Sequence, residues 1–306
     1  MNVDFKLTKN LKKDPSQCPK VGIIVINWNN YEDTAECLNS ISNISYPDFD
    51  VILVDNGSRD GSREQLQEEF GWCKFVFNNE NLGFAKGVNS GMKSRLERYD
   101  YFLLLNNDAI VQPGLLNQLV VTGEEQGDIG IVGAKLQYDE STIHSAGREF
   151  KSFDNIYEGK DPNEVNGIYE VGGVIGACML IKVDMILDIG MLDEDFFFGG
   201  EDEEYSLRAI ENDWKIVVQG DASVLHKSGA TADRDDFIKY HSTKNQMKLR
   251  LKRDSFSAFD IIKKASRDMK IFFGYIALGR FSESKAILIG YYDLLIGKKE
   301  KRTDML

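Results

Sequence analysis

The sequence predicts an α/β protein with a mostly parallel central sheet flanked by helices, followed by a helical C-terminal extension. Three observations carry this. Short apolar runs alternate with helix-like segments through the first third of the chain, on short connections, as crossover units of a parallel sheet do. Three of those runs end in polar clusters, Asn27-Trp28-Asn29, Asp55-Asn56 and Asn106-Asn107-Asp108, and in a right-handed parallel sheet such ends share one edge. From Phe237 onward the pattern turns helical and amphipathic, with Ile261, Ile262, Ile271, Phe272 and Ile276 as its apolar positions.

Each element has its own warrant. Residues 21–26 are a β-branched apolar run, a buried strand that ends at Asn27. Asn30 followed by Asp33 has the form of an N-cap, and opens a helix through Ala35, Leu38 and Ile41 that Pro47 separates from the next strand, 51–54. The turn-rich stretch 55–61 leads into a helix up to Phe70, then a strand over 74–77. A further helix carries Gly83, Phe84, Gly87, Asn89 and Gly91 in its opening turns. Residues 101–105, Tyr-Phe-Leu-Leu-Leu, suit a strand buried on both faces. Beyond it the expected strands are 129–135, 168–174, 177–183 and 215–218, with short helices over 185–189 and from Glu201 through Ile210. The domain division expected is an N-terminal extension (1–19), a main domain (20–236, with halves 20–110 and 111–236) and a basic helical region (237–306).

Composition bounds the function. Hydrophobic content of 42% with 28% charged residues is that of a soluble globular chain. The four cysteines lack Cys-x-x-Cys spacing, so neither a zinc site nor a disulfide framework is indicated, and a reducing, cytoplasmic setting is expected. The first twenty residues are polar and lack the apolar centre of a secretory signal. Residues 287–296 are the longest apolar stretch near the end, well short of the about 20 that a membrane span needs. Residues 238–306 carry 16 Lys and Arg against 7 Asp and Glu, a net +9 that leaves −21 on the remainder of a chain of net −12. The acidic body argues against nucleic acid as a partner. The basic tail reads first as a solvated helical face, with an anionic membrane surface or a phosphate-bearing substrate as the contacts it could otherwise make.

The polar strand ends point to a nucleotide. No Gly-x-Gly-x-x-Gly follows the first strand and no Gly-Lys-Ser/Thr closes a glycine-rich loop, so neither phosphate cradle is present. A diphosphate would then be neutralised by a divalent metal, with Asp108 as first ligand, since hard cations take oxygen. A turn formed by Asn and Asp accounts for Asn106 and Asp108 equally well when that segment is taken alone. Downstream, Phe196-Phe197-Phe198-Gly199-Gly200 precedes Glu201-Asp202-Glu203-Glu204. Acids at a helix N-terminus complement its dipole. The aromatic-glycine lead-in adds a carboxylate held at the edge of an apolar pocket, a candidate general base. His226 is one of three histidines, and by itself reads as a packing or surface residue.

Six segments in one order give the chain a resemblance: 21–30 (Val-Gly-Ile-Ile-Val-Ile-Asn-Trp-Asn-Asn), 54–62 (Val-Asp-Asn-Gly-Ser-Arg-Asp-Gly-Ser), 79–85 (Asn-Glu-Asn-Leu-Gly-Phe-Ala), 104–108 (Leu-Leu-Asn-Asn-Asp), 176–181 (Gly-Ala-Cys-Met-Leu-Ile) and 197–208 (Phe-Phe-Gly-Gly-Glu-Asp-Glu-Glu-Tyr-Ser-Leu-Arg). Over about residues 20–245 the chain resembles the family-2 glycosyltransferases of GT-A fold, with its Rossmann-like sheet, and especially their rhamnosyltransferase-like branch. The resemblance implies an inverting, metal-dependent transferase that moves a hexosyl or deoxyhexosyl group from a nucleotide-diphosphate sugar, UDP- or dTDP-linked. The acceptor implied is a hydroxyl of a glycan or lipid-linked molecule in surface polysaccharide synthesis. It implies that Trp28 stacks on the base and Asp55 hydrogen-bonds it, with Asn27 beside them. Asn81 and Gly83 would line the sugar-nucleotide pocket, and Asn106 and Asn107 would stand in the metal motif. Asp108 and His226 would hold Mg²⁺ or Mn²⁺, and Asp202 would be the catalytic base, with Glu201 as the alternative. Asn106 replaces the first acid of the family's Asp-x-Asp motif, and Glu204 stands where Asp is frequent. The remaining expectations are peripheral contact with the inner membrane face through 238–306, and a homodimer. The reading weighed against an enzyme is a non-catalytic sugar-nucleotide-binding or assembly protein of the same fold, for which Asn106 speaks.

Overall fold

The computed structural model describes residues 18–93, 95–228 and 235–297. Most of the expected N-terminal extension (1–17), the stretch 229–234 before the helical region and the end of the basic tail (298–306) lie outside the described residues.

The first half follows the alternation read from sequence: β1 (Val21–Asn27), α1 (Tyr31–Ile41), β2 (Phe49–Asp55), α2 (Ser62–Glu69), β3 (Lys74–Phe77), α3 (Phe84–Met92) and β4 (Tyr101–Leu105). The Asn30 side chain caps α1 by accepting from the Asp33 amide at 3.3 Å. These strands pair in parallel in the order β3-β2-β1-β4. The order reverses between β1 and β4, so the crevice beyond their carboxyl ends is where an open sheet takes its ligand. All five residues of β4 are buried. Tyr101, Leu103 and Leu105 enter the core on one face of the sheet and Phe102 and Leu104 the core on the other. Each buried leucine there contributes about 2 kcal/mol.

The second half comprises β5 (Ala109–Val111), α4 (Leu115–Glu124), β6 (Ile129–Asp139), β7 (Thr142–Ser145), β8 (Ile168–Glu170), β9 (Cys178–Lys182), α5 (Val183–Ile189), α6 (Glu201–Ile210) and β10 (Lys215–His226). Here the sheet is mixed rather than mostly parallel. β9 lies antiparallel between β4 and β6, while β10 runs parallel to β6 and antiparallel to β5.

Three further departures have local causes. The strand expected over 168–174 stops at Glu170, because the backbone of 149–150 packs against Gly172, where a Cβ would fall 2.2 Å from the Phe150 nitrogen. The strand expected over 215–218 continues to His226, absorbing Gly220-Asp221 as an irregularity between Gln219 and Ser223 instead of turning. Residues 109–111 and 142–145 form strands that their short, weakly patterned sequences did not announce. The last two departures assemble the site.

Beyond the sheet come α7 (Asp235–Lys252), α8 (Ala258–Ala277) and α9 (Phe281–Leu295). α7 is fastened to the main domain by the Asn245 amide, which donates to the carbonyls of Phe198 and Gly199 at 3.1 and 2.7 Å. Arg253 pairs with Glu204 and Glu211. Among the described residues no helix is long and apolar enough to cross a membrane.

Candidate active site

A cavity of about 330 Å³ opens beyond the β1 and β4 ends, lined by Ile26, Trp28 and Asn30 on one side, Leu105 to Asp108 on another, and Asn56, Asn81, Gly83, Phe84, Phe197, Phe198 and Phe237 around the rest. Asn27 and Asp55 lie behind this surface. The buried Asn27 amide donates to Asp55 Oδ2 at 3.2 Å and accepts from Thr34 Oγ1 at 3.0 Å. Asp55 Oδ1 accepts from the Gly57 and Ser58 amides and from the Arg63 guanidinium at 2.6 and 2.8 Å. Neither side chain is among those lining the cavity, so both fix the β1 and β2 ends that present Trp28 and Asn56.

Asn56 organises the next wall. Its amide donates to Asn81 Oδ1 and to the Gly83 carbonyl, both at 3.1 Å, and its oxygen accepts from Asn78 and from the Leu82 backbone. Gly83 has φ +82°, and a Cβ there would sit 2.3 Å from the Phe197 carbonyl. Glycine is required at this close approach. The Phe84 amide donates to the same carbonyl at 2.9 Å, so the 81–84 loop is clasped to the aromatic segment before α6.

Asp108 and His226 come together because the last three residues of β10 pair with β5: His226 pairs with Ala109, and the Lys227 amide donates to the Asp108 carbonyl at 3.1 Å. His226 Nε2 lies 3.3 Å from Asp108 Oδ1 and 3.2 Å from the Asn106 side-chain amide. His226 Nδ1 faces His144 Nδ1 at 3.1 Å, with Ser228 Oγ also at 3.1 Å. Two facing Nδ1 atoms need one proton between them. Placing it on His226 leaves the Nε2 lone pair directed at Asp108 and Asn106, the tautomer that ligates a metal. His144 is held neutral, pushed down to about 4 by burial and by the neighbouring His226, and its ring stacks on Tyr138 at 4.5 Å between centroids.

Among the described residues no group of three His, Cys, Asp or Glu side chains is arranged to hold a metal. The donor set at hand is one carboxylate, one imidazole nitrogen and an amide whose oxygen can be rotated into place. That fits Mg²⁺ or Mn²⁺ in the manner such ions adopt with phosphates, bound by one or two protein ligands and completed by substrate oxygens and water.

The acidic segment follows two left-handed glycines, Gly199 and Gly200, at φ +72° and +91°, and all four acids on the first turn of α6 are buried. Glu204 pairs with Arg208 and Arg253, and is absorbed in structure. Arg148 bonds Glu203 at 2.8 Å and stands 3.9 Å from Asp202. Glu201 is pushed up to about 8 by burial and then by the Asp202 charge, and its Oε2 has no hydrogen-bond partner. A carboxyl so raised is protonated at neutral pH. Asp202 accepts from the Gly176 amide at 3.2 Å and from the Glu203 amide at 2.9 Å. It borders a second cavity of about 230 Å³ that shares Phe198 with the first. A Cβ on Gly176 would lie 3.5 Å from the Phe84 ring and 3.7 Å from the Asp202 Cβ, so Asp202 is one residue's breadth from the first cavity's wall.

The sequence reading missed His144, Arg148 and Phe237. His144 lies on a strand too short to be recognised, and its link to His226 is made by the fold. Arg148 could have been sought as the cation that three consecutive buried acids require.

The chain is similar to known proteins over this same region. The family model described as Glycosyl transferase family 2 matches residues 22–190. Glycosyltransferase AglE of Haloferax volcanii is 23% identical over 69% of this chain and 68% of its own length. The N-acetylglucosaminyl-diphospho-decaprenol L-rhamnosyltransferase of Mycobacterium tuberculosis is 22% identical over 65% of this chain and 73% of its own. Among solved structures, a mannosyltransferase from Pyrobaculum calidifontis in complex with GDP-Man and Mn²⁺ superposes with a TM-score of 0.59 at 14% identity, covering 96% of this chain and 92% of its own. GalNAc-T7 with UDP, GalNAc and Mn²⁺ gives a TM-score of 0.59 at 14% identity over 69% of this chain, which spans 44% of that protein.

Proposed function

Because the chain belongs to glycosyl transferase family 2 and has the GT-A fold, we propose that it transfers a sugar, with inversion, from a nucleotide-diphosphate donor to a hydroxyl of a glycan or lipid-linked acceptor in surface polysaccharide synthesis. The observation that carries this reading is the meeting of Asp108 and His226 at the mouth of the Trp28 cavity, with the Asp202 motif across the shared wall at Phe198. Residues 20–236 form the transferase unit in this reading, and its place of action is the cytoplasmic face of a membrane.

The indole of Trp28 offers a stacking surface for a base such as that of a UDP or dTDP sugar, and the Asn56–Asn81–Gly83 wall offers amide and backbone groups to its ribose and sugar. Asp108 and His226, with Asn106, would hold Mg²⁺ or Mn²⁺, which supplies the positive charge that stabilises a departing diphosphate. Asp202 takes the proton of the acceptor hydroxyl as that oxygen bonds to the anomeric carbon. The bond to the diphosphate oxygen breaks on the opposite face, and the nucleotide leaves with the electron pair. Glu201, protonated at neutral pH, does not compete for that proton. Aligning acceptor and donor across Phe198 supplies a large part of the acceleration.

A donor panel of UDP-, dTDP- and GDP-sugars, followed by nucleotide release with and without Mn²⁺, tests the reading. It predicts release from one donor class that depends on the metal and increases with acceptor. Donor binding with neither hydrolysis nor transfer would instead support the non-catalytic reading for which Asn106 speaks.

A further inference from the structure

Helix α8 is built inside out. Its only fully buried residues are Lys264 and Asp268, which bond each other, and Asp268 also accepts from Tyr291 of α9 at 2.8 Å. Meanwhile Phe259, Ile262, Met269, Phe273 and Ile276 are exposed, Phe259 by 72% and Phe273 by 61%. Their spacing of three, seven, four and three residues places them along one stripe of the helix. With Ile261, Ile271 and Phe272 half-buried, α8 still buries an ion pair and leaves Phe259 and Phe273 to solvent. α9 continues the pattern: Phe281, Leu288, Tyr292 and Leu295 are exposed, at spacings of seven, four and three, with Lys285 among them. Scattered exposed apolar residues are ordinary, but two adjoining helices that each carry an exposed apolar stripe mark a surface that is covered in use.

We propose that the α8–α9 face lies on an anionic lipid surface and holds the donor cavity beside it. The charge pattern selects this occupant. Lys263, Arg267 and Lys270 are exposed along one flank of the α8 stripe, within a region of net +9, whereas the body of the chain carries −21. Apolar residues inserted below a flank of basic ones are how an amphipathic helix seats itself among negatively charged headgroups. A second copy presenting the same face would set like charges against each other. The placement also serves the proposed reaction. Arg280, at the α8–α9 turn between exposed Leu278 and Phe281, pairs with Asp235, two residues before Phe237, which lines the donor cavity. An acceptor carried on a lipid would thus be held near the element that lines the cavity. The inference uses the transferase reading only for this purpose; the seating itself stands on the two helices.

Co-sedimentation of the full chain with phosphatidylcholine vesicles, with and without phosphatidylglycerol, at low and high salt, tests it without any nucleotide. The expected result is binding to phosphatidylglycerol vesicles that declines with salt. Phe273→Glu and the pair Lys263→Glu/Lys270→Glu should each weaken it on the order of tenfold or more. Far-UV circular dichroism and UDP binding should be unchanged in both variants. Absence of vesicle binding under every condition overturns the proposal. So does a concentration-dependent dimer, seen by light scattering and abolished by Phe273→Glu, in a protein that ignores vesicles. Equal binding to both vesicle types, untouched by the lysine changes, overturns the assignment to an anionic surface. Since no donor or acceptor is present, a failure here is separable from a failure of the transferase reading.

Discussion

Replacing Arg148 with methionine tests the electrostatics of the acidic segment. The guanidinium bonds Glu203 at 2.8 Å and stands 3.9 Å from Asp202, and those two side chains are 7% and 11% exposed. Methionine keeps most of the volume and removes the charge, leaving consecutive carboxylates without their cation. Removing one partner of a buried pair costs about 3–5 kcal/mol, and with the Arg148 side chain itself 17% exposed the lower end, about 3 kcal/mol, applies. The cost should depend on pH in a definite direction. Burial already raises Glu201 and Glu203, with Arg148 opposing the rise in both, and the substitution raises them further. A carboxyl with a raised folded-state pKa keeps a proton that the unfolded chain has released, so stability falls as pH climbs from the unfolded value, near 4.5, through the folded one. Urea denaturation of both proteins should give a deficit of about 3 kcal/mol near pH 8 that shrinks below about 1 kcal/mol near pH 5. A deficit equal at both pH values, or none near pH 8, would refute the claim that Arg148 neutralises this segment.

Other consequences follow from the same geometry. Glu201→Gln removes a carboxyl held up to about 8. The variant should gain about 2–4 kcal/mol over wild type as pH rises from near 4.5 to above 8, by the same denaturation assay, while transfer stays within about tenfold. His144→Phe keeps a ring on Tyr138 but deletes the nitrogen facing His226. Mn²⁺ affinity in the presence of nucleotide, read by electron paramagnetic resonance, should fall roughly 10- to 100-fold, and unchanged affinity would free His226 from its neighbour. Gly83→Ala meets the Phe197 carbonyl at φ +82°. It should cost about 1–3 kcal/mol in thermal denaturation and weaken nucleotide binding; an unchanged melting temperature would mean that the 81–84 clasp is loose.

Much of the site was legible where chemistry is local to a strand end. β1, β2 and β4 are buried runs with polar ends, and both their pairing and the crevice they bound follow from pattern and from the handedness of crossovers. Trp28, Asn81, Gly83, Asn106, Asn107 and Asp108 accordingly line one cavity. Asn27 and Asp55 belong to the same edge but face inward, a distinction that depends on which oxygen the Gly57 and Ser58 amides and Arg63 take up. What pattern could not supply was register. His226 reaches Asp108 only because β10 runs on past Gly220-Asp221, and those two residues have the composition of a turn. His144 reaches His226 only across a four-residue strand that sheet pairing, not propensity, creates. The polar interior of α8 was equally hidden. Periodicity places Lys264 and Asp268 on one side of the helix, but whether that side faces protein or water is decided by α7 and α9.

The assignment of Asp202 as the base is the claim most open to a single measurement. Asp202→Asn keeps the side chain's size and can still accept from the Gly176 amide, yet it has no basic oxygen to take the acceptor's proton. Transfer from the donor identified in the panel, measured under saturating Mn²⁺ and acceptor, should fall roughly 100- to 10,000-fold, with donor affinity changed by less than about twofold. Turnover within about tenfold of wild type would contradict the account and move the proton's destination to another group.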